Sequence, residues 1–114
     1  MHDGKIKQWQ DRIDQIKHAL ATLGDMRPGS VSEQYNVCGN PNCRCKDSKV
    51  PKKHGPYYQL SYTHKGRSTT EFVKKDEVDE VRRQLSSYRT FKELSEEWVG
   101  LSIKIAKERK KRRR

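Results

Sequence analysis

Apolar residues recur at two different periods along this chain, and the switch between them divides it into helix, sheet and helix. Ile6, Trp9, Ile13, Ile16, Leu20 and Leu23 follow one another at spacings of 3, 4, 3, 4 and 3, an uninterrupted a/d seam that predicts a helix of about six turns. A stripe this narrow is buried only against another helix. Gly24 ends the segment, giving a first helix over 1–24, and Arg27-Pro28-Gly29-Ser30 reads as a turn. At the other end Asp76 reads as an N-cap with Asp79 three residues later, and Val78, Val81, Leu85 and Tyr88 continue at helical spacing. Leu94, Trp98, Leu101 and Ile105 repeat the pattern after a phase shift near Phe91. Ser86-Ser87 and Thr90-Phe91-Lys92-Glu93 are where such a helix would break, but the preferred reading is one helix over 76–106, kinked or not. It pairs with the first helix as a coiled-coil-like hairpin or across a dimer interface, with Trp9 and Trp98 as core residues of the seam.

Between the helices the period drops to two. Glu33-Gln34-Tyr35-Asn36-Val37 reads as a short strand delivering Cys38, and Tyr57 to Thr63 alternates Tyr58, Leu60 and Tyr62 with Tyr57, Gln59, Ser61 and Thr63. His64-Lys65-Gly66 is the hairpin turn, with Gly66 left-handed, and Arg67 to Val73 returns, rich in β-branched residues. The expected result is a small antiparallel sheet of two or three strands. Tyr58, Leu60 and Tyr62 face the helix, while Tyr57, Gln59, Ser61, Thr63, Arg67, Thr69 and Glu71 face outward. The fold class is therefore α+β, one domain overall: the first helix, a Cys/His knuckle plus sheet over 31–75, the long helix over 76–106, and a basic tail over 107–114.

Composition decides what such a chain needs in order to fold. With 114 residues, 31% hydrophobic against 36% charged, it has little apolar surface to bury, and small domains of this kind lean on disulfides, metals or partners. Three cysteines cannot complete a disulfide framework within one chain. The segment Cys38-Gly-Asn-Pro-Asn-Cys43-Arg-Cys45, followed by His54, has the spacing C-x4-C-x-C-x8-H, and thiolates with imidazole are the donors that tetrahedral Zn2+ prefers. Cys38, Cys43, Cys45 and His54 are the candidate ligands, with His64 and His18 as rivals for the fourth place. The competing readings are three reduced thiols in a small core, a Cys-His nucleophile pair and an iron-sulfur site. The polar residues Asn40, Asn42, Arg44, Lys46 and Asp47 among the cysteines fit core packing poorly, no nucleophile motif is present, and iron-sulfur clusters want four thiolates.

Charge adds a partner. The chain carries a formal +11, but residues 1–37 sum to zero and residues 76–103 to −3, whereas residues 38–75 and the tail from Lys104 each carry +7. Positive zones of this density attract nucleic acid, because each cation that neutralises a phosphate releases counterions. Arg44, Lys46, Lys49, Lys52, Lys53, Lys65 and Arg67 in the first zone, Gln59 on the sheet, and Lys107, Arg109, Lys110, Lys111, Arg112, Arg113 and Arg114 in the tail are the candidate contacts. The plainer reading of the tail is a solvated, solubilising run. No apolar run opens the chain as a signal peptide would and none reaches the length of a membrane span, so a reducing, cytoplasmic setting without membrane is expected. Acidic residues sit at the spacings of solvated helix faces and no phosphate loop appears, so no enzymatic activity is expected.

Two resemblances follow from these residues. Cys38, Gly39, Pro41, Cys43, Cys45, His54, Gly55, Pro56, Tyr57 and Tyr58 reproduce the C-G-x-P-x-C-x-C…H-G-P-Y-Y signature of an uncharacterised family of bacteria, archaea and their mobile elements, over Cys38 to about Gln84. Tyr57 to Gln84 is similar in layout to the arm-type DNA-binding domains of tyrosine recombinases. That likeness implies a sheet in a DNA groove, with Gln59, Ser61, Lys65, Arg67 and Thr69 near DNA. The expectation is a non-catalytic nucleic-acid-binding accessory protein of a mobile element or phage, on DNA or RNA, its knuckle held by Zn2+. The alternative is a protein-interaction module, an inhibitor or subunit of a larger ribonucleoprotein, acting through its helical seam on a protein partner or a second copy.

Overall fold

The computed structural model describes residues 3–113 and orders them as α1 (Asp3–Ala21), β1 (Ser30–Asn36), β2 (His54–His64), β3 (Arg67–Val73) and α2 (Val78–Arg112). The expected α+β class is observed, with three antiparallel strands in the order β1-β2-β3. The described residues form two compact units, one made of the chain up to Met26 together with the chain from Ser86 onward, the other spanning Arg27–Leu85. Among the described residues no helix is long and apolar enough to cross a membrane.

The helical unit is built on the seam. Ile6 and Ile13 of α1 and Ile105 of α2 are buried together, with Trp9, Trp98 and Leu101 packed against them. Arg12 clamps Glu97 across the pair, donating from Nε at 2.6 Å and from Nη2 at 2.8 Å, and the Lys17 ammonium lies 5.3 Å over the Trp98 ring. α1 ends at Ala21, three residues before Gly24, as the Thr22 hydroxyl donates to the Ala19 carbonyl at 2.7 Å.

α2 is a single unbroken helix of 35 residues. It starts after a 3-10 turn over Lys75–Glu77 whose N-cap is Lys74, so Asp76 is not the N-cap that its sequence position suggested. Asp76, Glu77, Asp79 and Glu80 instead crowd the helix start, where carboxylates favour the positive end of the dipole. The helix also continues to Arg112, through most of the run expected as a tail.

The sheet unit buries Leu60 and Val73 under Val78, Val81 and Leu85, with Val31, Tyr58 and Tyr62 packed against them. The β2–β3 turn contains two residues, Lys65 at φ 51° and Gly66 at φ 78°, with His64 paired to Arg67. Two consecutive left-handed residues twist a two-residue hairpin in the sense of its strands. That turn corrects one expectation. A three-residue turn would keep odd-numbered residues of both strands on one face; the two-residue turn puts odd opposite even. Thr69 and Glu71 therefore stand with Tyr62 and Leu60 on the core side, and exposed Arg67 shares that side beside His64. Glu71 accepts from the Tyr62 hydroxyl at 3.1 Å and from Arg27 at 3.0 Å, with the Arg27 guanidinium over the Tyr62 ring.

The outer face consequently reads Ser30, Ser32 and Gln34 on β1, Tyr57, Gln59, Ser61 and Thr63 on β2, and Ser68, Thr70 and Phe72 on β3. Gln34 donates to Gln59 at 3.1 Å, the Ser61 and Thr70 hydroxyls meet at 3.3 Å, and those of Thr63 and Ser68 at 2.9 Å.

Candidate metal centre

The segment between β1 and β2 owes its shape to backbone turns rather than to apolar packing. Asn40 accepts from the Asn42 N–H through its side chain at 2.9 Å and from the Cys43 N–H through its carbonyl at 3.2 Å, an Asx-turn that reverses the chain immediately after Cys38. A 3-10 turn over Arg44–Lys46 follows, with Cys43 as its N-cap. The Asp47 carboxylate then accepts from the N–H groups of Lys49 and Val50, and the Lys52 N–H closes back on the Arg44 carbonyl at 3.0 Å. The chain re-enters the sheet at His54, which pairs with Asn36 across a bulge.

Gly55 at that re-entry has φ 138°, and a Cβ there would lie 2.7 Å from the Gln34 carbonyl oxygen and 3.0 Å from the Tyr35 ring. Only glycine lets the two strands approach this closely beside His54.

These turns bring four donors together. Cys38 Sγ and Cys45 Sγ are 3.7 Å apart, Cys43 Sγ and His54 Nε2 are 3.2 Å apart, and all four ligand atoms lie within 4.8 Å of one another. Donors bound at zinc-like lengths to one tetrahedral ion lie roughly 3.3–3.8 Å apart. The group therefore fits a single ion after a small closure, and its donor set of three sulfurs and one nitrogen suits a borderline-soft cation. Among the described residues these four form the group close enough to hold a metal ion. His54 thus takes the fourth place, whereas His64 lies exposed at the hairpin and His18 exposed on α1.

The surroundings already favour thiolate at two of the sulfurs. Backbone hydrogen bonding at Asn40, then the contact with His54, holds the Cys38 thiol below its ordinary value, and hydrogen bonding at Cys45 does the same for Cys43. Cys45 is 2% exposed. The Cys38 N–H donates to its sulfur at 3.4 Å and pulls its thiol down, but burial and the two neighbouring sulfurs outweigh that contact and leave the thiol above its ordinary value.

Outside the cluster the candidate contacts divide. Arg44, Lys46, Lys49, Lys52 and Lys53 are all exposed on the knuckle, and none makes an ion pair among the described residues. Lys65 lies in the hairpin turn and Arg67 at its base, at the end of the sheet away from the knuckle. Lys107, Arg109, Lys110, Lys111 and Arg112 are exposed on the last turns of α2 with Arg113 just beyond it, and Arg114 lies outside the described residues. Gln59 is on the outer face, as expected. Sequence reasoning missed Gln34, Ser68, Thr70 and Phe72 as its neighbours there. The run Ser68-Thr69-Thr70 was legible as strand, but its facing depends on the hairpin register.

No curated protein and no solved structure gives a significant match to the chain. A family model described as "Domain of unknown function (DUF6788)" matches residues 6–83, which takes in α1 from Ile6 onward, the whole sheet, the four-donor cluster and the start of α2. The chain accordingly belongs to the DUF6788 family.

Proposed function

We propose that this protein is a non-catalytic nucleic-acid-binding factor whose knuckle is organised by Zn2+. One observation carries the reading: five exposed cations, Arg44, Lys46, Lys49, Lys52 and Lys53, make no ion pair among the described residues and stand on the loop tied off by Cys38, Cys43, Cys45 and His54. Like charges crowded on a short loop repel one another, and a polyanion relieves that repulsion while a bound cation fixes the loop's shape. The basic end of α2 adds a second zone for phosphates. An accessory role in a mobile element or phage, in the cytoplasm, is the setting that fits such a small basic factor.

The rival, a module that recruits a protein through its helical seam, is less well supported, because Ile6, Trp9 and Ile13 are already covered by Trp98, Leu101 and Ile105 of the same chain.

The test is fluorescence anisotropy with labelled DNA and RNA across a salt series, alongside elemental analysis of the purified protein. Affinity is expected to fall steeply as salt rises, less steeply after removal of the residues from Lys107 onward, with about one zinc per chain. Folded protein that binds neither DNA nor RNA at low salt ends the proposal.

A further inference from the structure

The outer face of the sheet has ten positions, Ser30, Ser32, Gln34, Tyr57, Gln59, Ser61, Thr63, Ser68, Thr70 and Phe72, and none is charged. In a chain where 36% of residues are charged, a solvent-facing sheet would ordinarily carry several charges. Eight of the ten are hydroxyls or amides, and the other two are aromatic: Phe72 is 80% exposed and Tyr57 43% exposed. Phe72 lies beside Gln59 in the register, and Tyr57 is two residues from Gln59 on the same strand, so both rings stand at the knuckle end of the face. Cations border the face at both ends, on the knuckle and at Lys74 at one, and at Lys65 and Arg67 at the other.

From this we infer that the face is a platform for unpaired bases of a single-stranded nucleic acid, with Phe72 and Tyr57 stacking on bases and the Gln34–Gln59 amide pair hydrogen-bonding to base edges. The inference rests on the nucleic-acid reading above and specifies its ligand. Bordering cations hold phosphates, while an uncharged hydrogen-bonding surface between them suits the bases. Two rings exposed on such a surface favour the single strand over the duplex, since paired bases already cover one another's faces and only unpaired ones offer a free π surface. Ribose and deoxyribose strands share this chemistry.

The experiment compares anisotropy titrations of a labelled homopyrimidine DNA strand, its ribose counterpart, the duplex, and a strand of the same length from which the bases are absent. The wild-type protein should bind a single strand with bases about tenfold or more tighter than the abasic strand. Whichever of the two sugar forms binds tighter identifies the natural source. Phe72→Ala should weaken binding to that strand by about 5- to 150-fold without changing the salt slope, because the phosphate contacts remain. Phe72→Leu, which keeps the apolar surface and loses the ring, should lose most of the same affinity, and Phe72→Trp should restore it. Exposure of Phe72 leaves the fold intact in all three variants, which circular dichroism and zinc content verify. Equal affinity for the abasic and base-bearing strands, tighter binding of the duplex, or an unchanged Phe72→Ala overturns the platform while leaving the nucleic-acid reading standing. Failure to bind any of these strands or the duplex at low salt overturns that reading itself.

Discussion

The helical unit and the knuckle face the same shortage of apolar residues and meet it by different means. In the helical unit a few large side chains in register, Ile6, Trp9 and Ile13 against Trp98, Leu101 and Ile105, suffice because a helix pair needs only a stripe. The knuckle between Asn36 and His54 has one buried side chain, and that is Cys45. No stripe or layer is available to it, so its order comes from Asx-turns, a 3-10 turn and four donors gathered at one point. Where composition forbids a core, directional bonds take its place, and a cation held by the four donors would reinforce them.

That contrast is most directly broken by removing the metal. Stripping it with a chelator should cost the knuckle a binding free energy on the order of 10 kcal/mol, and replacing Cys45 by Ser, which removes one of the four donors, should cost part of that. Hydrogen exchange read by mass spectrometry should lose protection over residues 37–54 and keep it in α1 and in α2 beyond Ser86. Loss of protection in both regions would show that the helical unit depends on the cation too.

A smaller effect is expected from Leu60→Ala, which empties a fully buried site in the sheet unit and should destabilise it by about 2–5 kcal/mol in urea unfolding. Metal stoichiometry should survive, since Leu60 contributes no donor. Gly55→Ala comes next: with φ 138° and a backbone oxygen 2.7 Å from the new Cβ, the strand must shift beside His54, at a cost of about 1–3 kcal/mol. Unlike Leu60→Ala, it should weaken metal affinity in a competition titration with a chromophoric chelator.

The smallest effect concerns the helical unit. Hydrogen bonding from Arg12 holds the Glu97 carboxyl below its ordinary value, so its contribution is present above the ordinary glutamate range and is lost as pH falls through the lowered value. Glu97→Gln should abolish that part of the acid dependence of the urea midpoint. Because the pair is at the surface, the change should be slight and fade with salt.

Much of this was legible in the residues. The a/d seam announced the helix pair because its period is fixed by helix geometry, and the C-x4-C-x-C-x8-H spacing announced the ligands because few other uses suit thiols among Asn, Arg and Lys. The fourth ligand needed coordinates: His18, His54 and His64 are chemically alike, and only the return of β2 to β1 selects among them. The facing of β3 was lost for a single reason. Lys-Gly is a weak signal for a two-residue turn compared with Asn-Gly, and counting His64 into the turn shifts Glu71 from beneath Tyr62 to the opposite side. Asp76 was misplaced because a 3-10 turn, invisible to propensity, precedes α2.

The end of α2 has a consequence of its own. Arg109, Lys110, Lys111 and Arg112 are consecutive helical residues, and at about 100° per residue a run of that length spreads its side chains over most of a turn around the axis. Positive charge there is spread around the axis except on the side where α1 packs, so it presents no single flat face to an approaching anion. The sheet offers a single open side, so a guest arriving there must come from one direction, whereas the helix end attracts without aligning.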